Sequence, residues 1–193
     1  MRARDLAAAL VLGFAAAQAG AWEMAEPQER CALCHGYFGD DPRPKFPKLA
    51  GQQPGYLEAQ IDAFLGGHRA NDGGQMAKTV TEIAPEDIPQ VVEWFAAQDP
   101  PAADPPDDPA LAGRGALVYA VSGCGECHDA GPGLKPATPL LTAQHPAYLA
   151  KQLRDFRSGA RAMPDRLKRQ AVEGLDETDI DAVAAWLGAA PRE

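Results

Sequence analysis

Cys31-Ala32-Leu33-Cys34-His35 and Cys124-Gly125-Glu126-Cys127-His128 hold every cysteine of the 193-residue chain. A disulfide within Cys-x-x-Cys closes a very small loop and gains little chain entropy. It also leaves the histidine behind each pair without a role. Two thiols three positions apart on one helical turn reach the two vinyl groups of a c-type haem, and the adjacent histidine then falls beneath the iron. This reading consumes all four sulfurs. Zinc would take Cys, Cys and His from each string but lacks an obvious fourth ligand beyond methionine. A thioredoxin-like redox pair needs a strand-rich βαβ context, which the chain does not offer.

The region around the strings is a repeat. Pro47 to Arg69 (PKLAGQQPGYLEAQIDAFLGGHR) lies over Pro139 to Arg161 (PLLTAQHPAYLAKQLRDFRSGAR) at a constant offset of 92 residues. Trp94 and Trp186 share that offset, and the cysteine strings sit at 93. The chain therefore consists of two copies of one domain, expected over residues 22–98 and 110–190. Between them Asp99 to Pro109 holds five prolines and four aspartates, so an extended, semi-stiff linker is expected. Copies this small need a staple, which a covalent haem supplies.

The periodicity is helical throughout. Tyr56, Leu57, Ile61, Phe64 and Leu65 form an apolar stripe, repeated by Tyr148, Leu149, Leu153 and Phe156. Ile88, Val91, Val92 and Phe95 define a last helix in one copy, and Ile180, Val183, Ala184 and Leu187 in the other. Asp176 with Asp179 reads as an N-terminal cap, and Pro89 requires its helix to start near Asp87. A helix over Pro109 to Val121 leads into the second cysteine pair, where Gly113 and Gly115 allow a close helix crossing. No alternating strand pattern is present, so the fold class is all-α.

Arg2 and Arg4 precede an apolar run from Leu6 to Ala17, too short to span a bilayer and built like a secretory signal. Cleavage is expected after Ala21, with Ala19 as the alternative, so residues 1–21 are read as a signal peptide. Its removal takes two arginines and one aspartate and moves the formal charge from −9 to −10. The mature chain has no further segment long enough to span, and the protein is expected in the periplasm. Its acidity excludes a nucleic-acid binder, which needs a basic face, and suits transient docking on a basic partner.

Met76 lies 41 residues after His35, and Met163 lies 35 after His128. Each follows the repeated helix in a polar loop, one per copy, and is the candidate second iron ligand beside His35 or His128. His/Met ligation closes the iron and raises its potential relative to His/His. The chemistry that follows is one-electron transfer, not catalysis. Pro47 and Pro139 are positioned to offer carbonyls to the proximal imidazoles, with ordinary loop prolines as the other reading. His68 and His145 read as surface residues. Core packing is the expectation for Tyr56, Tyr148, Trp94 and Trp186, with contact to haem or its propionates as the other reading. A second iron left open by Met163, able to take peroxide or another small ligand, is a further reading.

The strings CALCHG, FPKLAGQQPGYLEAQIDAFLGG and EDIPQVVEWFAAQ, with CGECH, PLLTAQHPAYLAKQLRDFRSGAR and TDIDAVAAWL, resemble the cytochrome c4 family of dihaem class I cytochromes c. The resemblance covers nearly all of the mature chain. It implies two tandem class I cytochrome c domains about a pseudo-twofold axis. It implies two covalently attached haem c groups on Cys31, Cys34, Cys124 and Cys127, ligated by His35 with Met76 and His128 with Met163. It also implies a periplasmic carrier between a quinol-oxidising complex and a terminal oxidase or another reductase. The second half departs from the pattern: Asp129 replaces the glycine after CGECH, LTAQ replaces LAGQ, and the segment before Met163 is short. That half is also similar to the cytochrome subunit of flavocytochrome c sulfide dehydrogenase, which implies the alternative of an electron-accepting subunit docked on a flavoprotein dehydrogenase.

Overall fold

The computed structural model describes residues 26–131, 134–163 and 165–192. The expected signal peptide, residues 1–21, lies outside the described residues. Among the described residues the chain is helical with no strand. The first half contains α1 (Glu29–His35), α2 (Pro54–Leu65), α3 (Gln75–Val80), a 3-10 turn (Pro85–Asp87) and α4 (Ile88–Ala96). The second contains α5 (Pro109–Val121), α6 (Gly125–His128), α7 (Pro146–Ser158), α8 (Arg166–Glu173) and α9 (Glu177–Ala189). No described helix is long and apolar enough to cross a membrane.

Local chemistry sets these boundaries. Proline opens α2, α5 and α7 in the first turn, where its missing N–H costs nothing. Pro89 likewise sits in the first turn of α4, which resolves its awkward place in the sequence. Asp108 caps α5 by accepting from the Ala110 and Leu111 N–H groups at 2.9 and 3.0 Å. Asp176 and Asp179 form a reciprocal capping box on α9. The repeated glycines Gly67 and Gly159 both take positive φ, 71° and 79°, where a Cβ would be strained.

Each half has its own core. Leu57, Ile83, Val91, Val92, Phe95 and Cys31 form one. Leu149, Leu175, Ile180, Val183, Ala184 and Leu187, with Tyr119, form the other. Leu65, expected on the apolar stripe, is instead 44% exposed at the end of α2. In the second half α5 crosses α9 so closely that a Cβ on Gly115 would lie 1.9 Å from the Ala182 carbonyl oxygen. Gly113 has open space instead, so the crossing rests on Gly115.

The halves meet through a polar interface with internal twofold repetition. Gln52 spans to Leu140, donating to its carbonyl and accepting from its N–H, both at 2.9 Å. Gln144 does the same with Lys48, at 2.8 Å each way. Arg69 donates to Gln60 in its own half and to Tyr148 and Gln152 across the interface. Arg161 donates to Gln152 in its own half and to Tyr56 and Gln60 across it. Tyr56 and Tyr148 thus serve the interface through their hydroxyls, beyond the core packing expected of them. His145 is also a correction: it is buried, 8% exposed, and its Nε2–H donates to the Asp41 carbonyl at 2.8 Å. His68 is exposed, as expected.

The linker runs without helix from residue 99 to 108, but it is laid on the first half. Lys48, 6% exposed, reaches the Ala102 carbonyl at 3.5 Å and pairs with Asp40 and Asp104. Near the C-terminus Arg192 closes the interface, donating to Ala50 at 2.7 Å and to Thr142 at 2.8 Å. Burial holds its guanidinium at about 10, below the usual arginine range.

Candidate functional site

The first cysteine string forms α1 itself. Arg43 secures its C-terminal end by donating to the Leu33 carbonyl at 3.0 Å, while Asp41 holds that guanidinium at 2.7 and 2.8 Å. After His35 the chain turns at Gly36, with φ 78°. The second string is α6, entered from α5 through Gly123 at φ 66°. Here Asp129 replaces the glycine and the backbone stays at negative φ. Its carboxylate accepts from the Tyr119 hydroxyl at 2.8 Å, and burial with that carboxylate pushes the phenol well above its ordinary range.

Both histidines are oriented the same way. His35 Nδ1 lies 2.9 Å from the Pro47 carbonyl oxygen, and His128 Nδ1 lies 2.9 Å from that of Pro139. A carbonyl only accepts, so each Nδ1 carries the proton and each Nε2 keeps its lone pair for a metal. Burial pushes both imidazoles below their ordinary value against the pull of that carbonyl, favouring the neutral, ligating form. The thiols behave differently from a reactive pair. Burial, helped by Cys34, raises Cys31 to about 11, and burial raises Cys124; a redox Cys-x-x-Cys needs the opposite shift. Among the described residues no three His, Cys, Asp or Glu side chains are grouped so as to hold a metal ion by themselves.

Met76 is placed in the first turn of α3 and not in a loop as expected. Asp72 makes that turn, accepting from the Gly74 N–H at 3.0 Å and from the Met76 N–H. Met163 lies outside any helix ahead of α8, 7% exposed, and Arg169 pins its carbonyl at 2.6 Å. The residues missing before Met163 are recovered between it and α9: Met76 lies within α3, whereas Met163 precedes α8, which starts at Arg166. Both methionines, both histidines and all four cysteines line one continuous cavity of about 2550 Å³. That exceeds the roughly 300–1,000 Å³ of a single small-molecule site and suits two large groups.

The cavity also fits haem in its charge. Arg69 and Arg161 line it and are 8% and 9% exposed. Among the described residues their hydrogen-bond acceptors are all neutral oxygens. Two buried cations with no carboxylate bonded to them favour an anionic occupant, and haem carries propionates. Trp94 and Trp186 pack as expected, against Tyr37 and Tyr119 with ring centroids 5.1 and 4.6 Å apart.

The polar interface is what sequence reasoning missed. Its signal was present: Gln52, Tyr56, Gln60 and Arg69 recur at the offset of 92, although an apolar core requires none of their polar groups.

Comparison with known proteins agrees with this geometry. The family model for cytochrome c oxidase, cbb3-type, subunit III matches residues 110–187. Cytochrome c4 of Pseudomonas aeruginosa is 32% identical over 92% of this chain and 94% of its own. The thiosulfate dehydrogenase electron acceptor of Thiomonas intermedia is 28% identical over 97% of this chain and 91% of its own. The crystal structure of reduced cytochrome c4 from Pseudomonas stutzeri superposes with a TM-score of 0.71 at 29% identity, over 84% of this chain and 96% of that one. Two His-Pro-positioned Cys-x-x-Cys-His motifs, on two all-helical halves related by a repeat, thus place this chain in the cytochrome c4 family of dihaem c-type electron-transfer proteins.

Proposed function

We propose that the protein is a periplasmic single-electron carrier, exported by cleavage of residues 1–21 and built as domains over 22–98 and 110–190 with a linker at 99–109. Cys31 and Cys34 hold one haem c, and Cys124 and Cys127 the other. His35 with Met76, and His128 with Met163, would hold the two irons. The observation that carries this reading is the matched pair of histidines, each locked by a proline carbonyl into the metal-binding tautomer within one cavity that also receives a methionine from each half. Bound haem supplies the one-electron iron couple, and thioether ligation favours its reduced state. With a histidine and a methionine both bound, each iron would be closed to a substrate.

The donor and acceptor fitting this role are a quinol-oxidising complex and a terminal oxidase. The second reading is an electron-accepting partner of a dehydrogenase; likeness to the Thiomonas thiosulfate dehydrogenase electron acceptor supports it, and a flavoprotein dehydrogenase is the partner suggested by the second half's sequence. Redox titration of the matured protein is expected to give two reversible one-electron steps, with no carbon monoxide binding on reduction. Rapid carbon monoxide binding by the unmodified protein would overturn closed ligation at one iron. A stable complex with a dehydrogenase on purification would select the second reading.

A further inference from the structure

One set of contacts breaks the twofold repetition of the interface. Lys151 and Asp155 lie one turn apart on α7 and pair with each other. At the offset of 92 their counterparts on α2 are Ala59 and Ala63, whose methyl groups form no hydrogen bond. The pair reaches across the interface to Asn71 of the first half. Asp155 accepts from the Asn71 side-chain amide at 2.6 Å, and Lys151 donates to the Asn71 backbone carbonyl at 2.6 Å. Gln152 accepts from the same amide at 3.0 Å, and Arg69 donates to the amide oxygen at 3.1 Å.

Asn71 begins the segment that delivers Met76. The next residue, Asp72, accepts from the Gly74 and Met76 N–H groups. Gly73 and Gly74 take φ of 76° and 83° and have open space where a Cβ would stand. Residues of this kind anchor nothing by packing, so hydrogen bonds fix where the segment sits. Apart from the one to Arg69, the bonds from Asn71 lead into the other half. Met163 is held differently, because Arg169 of its own half donates to its carbonyl at 2.6 Å. At the offset of 92 the place of Asn71 is taken by Met163 itself, so no asparagine stands there to form the reciprocal tie.

We propose that Lys151 and Asp155 are positioning residues for Met76, so that the second half determines how firmly the iron of the first half keeps its methionine. This rests on the reading that Met76 binds that iron. The coupling runs one way. A separation of the halves at α7 frees the Met76 segment and leaves Met163 in place. Thioether ligation favours the reduced iron, so loosening Met76 lowers the potential of the first haem alone. The Asn71 tie is thereby a means of setting the order of the two haems.

The test uses the full chain, matured with haem and oxidised, and titrates imidazole against the near-infrared sulfur–iron band, which is lost as imidazole displaces methionine. In a Met163→Ala background the band reports the first haem, and in a Met76→Ala background the second. Asp155→Ala removes the charge-assisted bond to Asn71, worth about tenfold in an equilibrium. The first haem is therefore expected to lose its band at about tenfold less imidazole, and the second at an unchanged concentration. Asp155→Asn, which keeps an oxygen for Asn71, is expected to recover most of the shift. Arg154→Ala loses ion pairs to Glu177 and Asp181 on the same helix and is expected to move neither haem. Lys151→Ala, at an exposed position, is expected to shift the first haem in the same direction and decides the matter where Asp155→Ala fails to mature. A shift shared equally by both haems, or produced equally by Arg154→Ala, overturns the proposal. A Met163→Ala protein with no sulfur band contradicts Met76 ligation and the proposal together; a band that is present but unmoved by Asp155→Ala and Lys151→Ala contradicts the proposal alone.

Discussion

Gly115→Ala is predicted to destabilise the second half, while Gly113→Ala, two residues away on the same helix, stabilises it. A Cβ at position 115 would sit 1.9 Å from the Ala182 carbonyl oxygen and 2.9 Å from the Trp186 Cβ. Both obstacles are held by α9, so relief requires separating α5 from α9 by more than an ångström. Overpacking of this kind costs about 3 kcal/mol, from which the better helix propensity of alanine returns about 1, leaving a net loss of about 2 kcal/mol. Position 113 has nothing within 4 Å, so only the propensity gain of about 1 kcal/mol remains. The two variants should therefore differ by about 3 kcal/mol in guanidinium unfolding of the haem-loaded protein followed by far-ultraviolet circular dichroism. Equal stabilities, or a gain at 115, would refute the close crossing.

Gln144→Ala strips the buried Lys48 N–H and carbonyl of their partner, and should cost about 3 kcal/mol in the same unfolding assay. Gln53→Ala, half-buried, is the control and should cost far less. Asp41 is held at about 2, below its ordinary 3.8, chiefly by the Arg43 hydrogen bond. Because its folded value is depressed, its contribution is complete above about pH 4 and disappears as pH falls from there toward 2. A stability profile across that window should be flatter for Asp41→Asn, and an unchanged acid limb would count against the Asp41–Arg43 clamp on α1. Met76→Ala should remove the sulfur–iron band of the first haem while leaving that of the second, read in the oxidised near-infrared spectrum.

Much of this was legible in the sequence because covalent chemistry and periodicity are local. Cys-x-x-Cys-His fixes haem attachment by spacing alone. Pro89 and the Asp176–Asp179 cap mark helix starts through backbone hydrogen bonding within one turn. Pro47 and Pro139 were readable as acceptors because their distance from the histidines repeats, although only the structure decides between that role and an ordinary loop. What was not legible depends on the mating of the two halves. His145 looks like a surface residue beside its counterpart Gln53 because nothing in its own half reveals that Asp41 covers it. Arg192 follows the last helix by sequence, yet it is buried against Ala50 from the other half. The α8 helix escaped notice because its apolar content is low; of its basic residues, Lys168 and Arg169 line the cavity and Arg169 holds the Met163 carbonyl.

The central claim, two closed His/Met haems in one chain, is tested most directly by counting covalent haem per chain and recording the oxidised near-infrared spectrum of the unmodified, Met76→Ala, Met163→Ala and doubly substituted proteins. The account predicts two haems, sulfur–iron bands from both, one band lost in each single variant and none left in the double. A single haem per chain, or a sulfur band surviving in the double variant, would contradict it.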